Sequence, residues 1–482
     1  MTADLRYRKP VIRGATRPVV GAPWLMPLAV AVVAAAAAGA LVVKEVPLAG
    51  VVVLAVVIFA YLAQMAGRPI GEVLLVAMVG LAGIVDILQK VDAGAASGQA
   101  VETVAMVLLA AMVCLAGLSV PDGAAGRALG LLAIFVAFTI VSYSWGTIST
   151  QSIQNVLVYI SCLLFTAIAA TVIRYRPRQL YDVISKAWWV AGSLGLGMYA
   201  VGTLLAGPGN HKIISPRPLG LLGVLVVAWF MAGGRVGRKW AYYMVAASLL
   251  LTLLSLSRSA LAAQFAMVAL ARFDLRTFRS WMIAIGAIVV TLSIAIATVF
   301  LYAPLHHRFF HGDTTTVGGF TINVTGRDAL WAANWDYFLK APVIGHGAGA
   351  ADRLVSSLPK HSGAAHPHND YLRILVDYGI VGLVLWFFAY IALLRLTWRR
   401  WRAVRGTRTM AEHIHGAAAL VLVGIGLTMI VDNPFIELAR MAPMGILLGM
   451  SLGLPSAKEA QASETAPALV AVPAAGAGSP AA

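Results

Sequence analysis

From Trp24 almost to Leu454 the chain is a succession of apolar runs of about 20 residues joined by polar connections. A run of that length crosses the hydrocarbon core of a bilayer as an α-helix, which satisfies its backbone hydrogen bonds internally. Charged residues make up only 12% of the 482, against about 25% in an ordinary soluble domain. The expected fold is therefore all-α: a polytopic membrane protein with about 12–14 transmembrane helices. A long basic arm precedes the first run and no cleavage site follows it, so that run reads as a span rather than a cleaved signal peptide.

The candidate spans are 24–43, 47–65, 70–88, 100–119, 127–145, 152–173, 185–205, 218–234, 239–256, 258–271, 281–302, 372–394, 414–431 and 437–454. This divides the chain into a cytoplasmic basic arm (1–23), transmembrane helices 1–11 (24–302) and a large external loop (303–371). C-terminal transmembrane helices (372–454) and an Ala/Pro/Ser/Gly-rich tail (455–482), expected to be disordered and cytoplasmic, complete it. With Arg6, Arg8, Lys9, Arg13 and Arg17 inside, alternation also puts Arg174/Arg176/Arg178, Arg235/Arg238/Lys239, Arg272/Arg276/Arg279 and the Arg395–Arg408 cluster inside. That is the bias a membrane orientation requires. The net charge of +16 thus marks orientation rather than a nucleic-acid partner. Cys114 and Cys162 each lie in an apolar run and imply packing, not a disulfide or a metal site.

Histidines show the opposite asymmetry. His211, His306, His307, His311, His346, His361, His366 and His368 fall outside, and only His413 and His415 inside. Titratable chemistry is accordingly expected on the external, periplasmic face. The 303–371 loop is too long to be a simple connector. It carries a predicted helix from Arg327 to Lys340, with Trp331, Trp335 and Phe338 at helical spacing, ended by Pro342 and the turn at Gly345-His346-Gly347. That helix reads as an amphipathic element lying over the embedded part.

Where the loop re-enters a span stands His366-Pro-His368-Asn369-Asp370-Tyr-Leu, followed by Gly379 and Gly382. His368 is the candidate catalytic base, with His366, Asn369 and Asp370 as secondary candidates. The alternative for His368 is a helix cap, a task Asn369 or Asp370 performs better. Gly379 and Gly382 read as sites of close helix packing. Arg217, Arg258 and Arg327 are the external cations. A half-buried arginine needs a partner, and the short turns around Arg217 and Arg258 contain no acid. An anionic ligand would supply one, since guanidinium groups grip phosphate through paired charge-assisted hydrogen bonds. The alternatives are snorkelling to headgroups, or pairing with distant carboxylates such as Asp432 or Glu437.

These residues resemble the O-antigen ligase family of bacterial envelope glycosyltransferases, which includes O-antigen and exopolysaccharide polymerases. The family's His-Asn/Ser/Gln-x9-Gly-x2-Gly pattern is matched by His368, Asn369, Gly379 and Gly382, and its Arg-x3-Leu pattern by Arg217 and Leu221. Arg258, between two serines, looks like the second arginine near the ligand. Gly326-Arg327-Asp-Ala-Leu-Trp331, with Pro342 and Gly345-His-Gly347, looks like the loop signature of the wider family. The resemblance spans about 210–385.

Membership implies a helical, metal-independent, inverting glycosyltransferase of GT-C-like architecture in the bacterial inner membrane, with no cofactor. It implies an undecaprenyl-diphosphate-linked glycan donor, a glycan or lipid A–core acceptor, contact with membrane lipid, and no nucleic acid. In that reading Arg217, Arg258 and Arg327 bind the donor diphosphate. The competing class is a polysaccharide transporter or flippase, which predicts charges at mid-span and related halves of the chain.

Overall fold

The computed structural model describes residues 70–91, 110, 117–118, 121, 123–207, 216–235, 239–272, 278–279, 282, 286, 300–301, 303, 306, 314–317, 320–323, 327–358 and 366–455. The basic arm, spans 24–43 and 47–65, nearly all of 100–119 and 281–302, and the tail beyond 455 lie outside the described residues.

The described helices are α1 (Ile70–Val91), α2 (Gly123–Val141), α3 (Thr150–Tyr175), α4 (Pro177–Ala206), α5 (Pro216–Arg235), α6 (Ala241–Leu254), α7 (Arg258–Arg272), α8 (Arg327–Phe338), α9 (Ala350–Ser357), α10 (Asp370–Val404), α11 (Met410–Thr428) and α12 (Leu438–Gly453). Among the described residues six stretches are long and apolar enough to cross a membrane: Gly123–Ser144, Gln151–Tyr175, Pro177–Leu205, Arg217–Gly234, Asp370–Val404 and Met410–Thr428. The chain is an all-α polytopic membrane protein. One departure from all-α is a small antiparallel hairpin in the large loop, β1 (Thr314–Val317) with β2 (Phe320–Asn323), Thr314 opposite Asn323.

Local chemistry explains the helix ends. Ser149 caps α3 through a reciprocal box with Ser152, Pro177 opens α4, and Thr409 caps α11. In α12, Gly445, Gly449 and Gly453 recur every fourth residue, and a Cβ on each would meet a backbone carbonyl of α3: Cys162, Thr166 and Ala170. This small-residue stripe lets the two backbones touch, which is how helices associate where lipid removes any hydrophobic drive.

The ninth and tenth spans are the short helices α6 and α7, folded into a hairpin about Ser255-Leu256-Ser257. Gln264 on α7 donates to Thr252 Oγ1 (2.9 Å) and accepts from Ser248 Oγ (3.2 Å) on α6, so the two run side by side. Gly223 of α5 makes room for this polar cluster. Gly220, also on α5, faces Ser257 and Ala260, which brings the N-terminal turns of α5 and α7 together.

Helix α10 is broken at Gly379, whose φ of 66° and ψ of −167° suit glycine alone. The freed backbone groups are taken up by the loop after α8. His346 N donates to Val376 O (2.9 Å), Gly347 N to Asp377 O (2.8 Å), Ile380 N to Pro342 O (2.9 Å) and Val381 N to Val343 O (3.1 Å). Gly379 therefore serves a break that laces the loop to the span, rather than close packing of straight helices. The loop helix itself ends at Phe338 rather than Lys340, and it buries Leu330, Asn334 and Phe338 while Trp335 stays exposed.

The basic residues Arg174/Arg176 (α3–α4), Arg235 (end of α5), Arg272 (end of α7) and Arg399–Arg408 (α10–α11) all lie at the helix ends opposite His368. His413 and His415 lie within the first two turns of α11. Both are buried in α11, His413 between Tyr181 OH (2.7 Å) and Trp229 O (2.8 Å), and His415 against Ser451 Oγ (2.8 Å).

Candidate functional site

The connection from α11 to α12, residues 429–437, gathers the candidates at one end of the bundle. Asp370 N donates to the carbonyls of Met429 (2.9 Å) and Asp432 (3.2 Å), which ties the start of α10 to this connection. Asn369 caps α10 by accepting from Leu372 N (2.9 Å). His368, just before it, adopts a φ of 54°, a left-handed conformation uncommon for a non-glycine residue. The turn aims its Nδ1 at Asp432 Oδ1, 3.6 Å away. That is too long for a formed hydrogen bond, and Nδ1 is buried with no other partner. Among the described residues nothing is bonded to Nε2, and the side chain is 24% exposed.

The same Asp432 oxygen lies 2.8 Å from Arg217 Nε, and Glu437 lies 3.9 Å from that nitrogen. Arg217 Nη2 also donates to Asn433 O (2.8 Å). The Nε contact is off-line for a hydrogen bond, so it is a charge contact, while the Nη2 contact is a directed one. The turn around Arg217 contains no acid, and the fold realises the alternative of pairing with the distant carboxylates Asp432 and Glu437, more than 200 residues away. Burial works against an ionised Asp432, but the Arg217 charge and His368 outweigh it and hold the carboxyl below its ordinary range.

Arg258 begins α7 beside the first turns of α5. Arg327 begins α8 and donates to Val431 O (3.0 Å), next to Asp432. Trp331, one turn on, donates to Pro367 O (2.9 Å) between the two histidines. His366 directs Nδ1 to Asp352 Oδ1 (2.8 Å) on α9, and Asn155 of α3 donates to Oδ2 of that carboxylate (2.6 Å). Asp352 is fully buried. Burial disfavours its charge, yet the His366 hydrogen bond and charge, with Arg373 and Asn155, hold its carboxyl below the usual range.

Asp370, a candidate from sequence, is fully buried and saturated: Arg373 Nε at 2.8 Å, Asn433 Nδ2 at 2.9 Å and Phe435 N at 2.9 Å. It shapes the site from behind rather than facing a substrate. Sequence reasoning missed Arg373, which is buried over the Tyr159 ring and donates to Tyr159 OH (3.0 Å) and Phe435 O (3.1 Å). It also missed Asp377, which accepts from Gly349 N (3.1 Å) and Ala351 N (2.8 Å) and so caps α9. The signal was present: charges three and seven residues into an otherwise apolar helix.

The arrangement can do two things. An imidazole with Nδ1 turned to a carboxylate has Nε2 left to take a proton, and arginines beside it can meet an anion. No curated protein matches the chain. Residues 242–387 match the family model described as O-Antigen ligase. That stretch holds Arg258, Arg327 and the whole His366–Gly382 segment, so the part of the chain that carries most of the candidate site is similar to the O-antigen ligase family, which supports an assignment of ligase or polymerase type.

Proposed function

We propose that the protein transfers a glycan from an undecaprenyl-diphosphate-linked donor to a carbohydrate acceptor on the periplasmic side of the bacterial inner membrane. The observation that carries this reading is the convergence of His368 and Arg217 on Asp432 at one end of the bundle. His368 Nε2 takes the proton of the acceptor hydroxyl while that oxygen attacks the anomeric carbon. The bond to the diphosphate breaks, and its electron pair leaves with the lipid carrier. Attack opposite the leaving group inverts the anomeric centre.

Arg217, which keeps part of its guanidinium open beyond the Asp432 and Asn433 contacts, and Arg258 at the neighbouring helix start stabilise the departing diphosphate. Arg327 supports them from the Val431 carbonyl. His366 and Asn369 fix the segment that carries His368. In this reading the reaction is metal-independent and the acceptor is either lipid A–core or a growing repeat-unit chain. Gathering of the functional charges at one end of the bundle favours surface chemistry over the transporter alternative.

The test is purified protein in proteoliposomes with an undecaprenyl-diphosphate oligosaccharide. His368→Ala should cut transfer by roughly 10²–10⁴-fold, Arg217→Ala should weaken donor use, and excess chelator should leave wild-type activity intact. Unchanged transfer by both variants rejects the assignment. In a deletion strain, lipid-linked polymer accumulating beside bare core identifies a ligase, and single-unit capping without long chains identifies a polymerase.

A further inference from the structure

Helix α10 changes character at its break. Before Gly379, the side chains of Leu372, Arg373, Ile374, Val376, Asp377 and Tyr378 are buried in protein. After it, Ile380, Val381, Val384, Phe387, Phe388 and Ile391 are exposed large apolar groups. The stretch from Ile380 to Val404 extends about 37 Å at 1.5 Å per residue, enough to cross a hydrocarbon core of about 30 Å. The lipid-facing surface of this span thus begins at Ile380.

The backbone of Ile380 and Val381 is hydrogen-bonded to Pro342 and Val343. The segment after α8 is thereby fixed at the same level, and it too is apolar and bare. Val343 is 62% and Leu339 54% exposed, with Ile344 and Trp335 also open. Lys340 lies among them with its ammonium over the Tyr337 ring. A tryptophan and a lysine bordering an apolar patch suit the headgroup boundary of a bilayer. In water, so continuous a patch would be an aggregation liability.

We propose that Trp335, Leu339, Val343 and Ile344 form a membrane-seated foot, inserted into the leaflet on the His368 side and continuous with the lipid face of α10. Its occupant is the hydrocarbon of that leaflet. The foot begins at Trp335 on the helix that holds Val431 through Arg327 and Pro367 through Trp331 and continues into the segment directly after it, so seating it on lipid sets the height of both contacts above the bilayer.

Spin labels placed singly at Leu339→Cys, Val343→Cys and Ile344→Cys, with Cys114 and Cys162 replaced by alanine, test this in proteoliposomes. Phe388→Cys serves as the lipid reference and Asp328→Cys as the water reference. Collision with oxygen should exceed collision with a water-soluble nickel chelate by several-fold more at the three foot positions than at Asp328. High nickel accessibility would mean the patch faces water and would overturn the proposal. Low accessibility to both reagents would mean another protein segment covers it, which also overturns it. Three independent positions keep the outcome decisive if one variant fails to fold.

Discussion

Asp432→Asn probes the centre of the site with almost no change of shape. The negative charge of the wild-type carboxylate, 3.6 Å from the buried Nδ1 of His368, favours the tautomer with the proton on Nδ1 and the lone pair on Nε2. An amide can turn its NH2 group toward Nδ1 instead. That favours the opposite tautomer, in which Nε2 carries the proton and cannot accept another. Turnover should then fall toward the loss expected for removing a general base, roughly 10²–10⁴-fold. Stability should change much less. Removing one partner of a buried ion pair costs about 3–5 kcal/mol, but Arg217 is 26% exposed and retains Glu437 at 3.9 Å and the Asn433 carbonyl. Screening and these substitutes reduce the expected cost to about 1–2 kcal/mol. The assay is single-turnover glycan transfer in proteoliposomes, with a thermal melt of the same preparation. Wild-type turnover in a folded Asp432→Asn protein would refute the tautomer argument. Loss of turnover only in proportion to loss of folded protein would refute it as well.

Three further outcomes follow from the structure. Gly379→Ala puts a Cβ against the Val343 carbonyl at a backbone conformation reserved for glycine, so it should cost about 1–3 kcal/mol; an unchanged melting temperature would contradict the break. Asp352 and Asp432 are held below their ordinary ionisation range, so their contribution to stability is complete above the unfolded value of about 3.9 and is lost as pH falls below it. Asp352→Asn should therefore flatten the acid arm of a melting-temperature profile, and an acid arm as steep as wild type would count against the pairing with His366. Trp331→Phe removes the donor to Pro367 O, and should cost about 0.5–1.5 kcal/mol while lowering transfer through a looser His368 segment; full activity with unchanged stability would discount that contact.

How much of this was legible in the chain depends on the range over which each feature is determined. The spans that fall on described residues, the loop helix near Arg327–Phe338 and the Asn369 cap follow from local pattern and appear near where hydropathy and capping put them. Arg217, His368 and Arg327 could be singled out because a charge or imidazole at the edge of an apolar run is costly without a task. Asp432 and Glu437 could be named only as distant carboxylates available to an arginine; that Arg217 takes them, and that Asn433 and Val431 join, follows from the packing of α12 on α3 and of α11 on α5 and α7. The spacing of Gly379 and Gly382 was equally visible, yet a helical glycine reads as packing until the loop that occupies the break is seen. The same limit applies to Asp370: sequence marks it as polar beside the candidate base, and only the fold shows its oxygens already committed to Arg373, Asn433 and Phe435. In this protein the sequence names the groups that carry charge to the bundle's end. Which of them can still meet a substrate is decided by contacts more than 50 residues apart: His368 and part of Arg217 can, whereas the Asp370 oxygens are committed and Arg373 is buried.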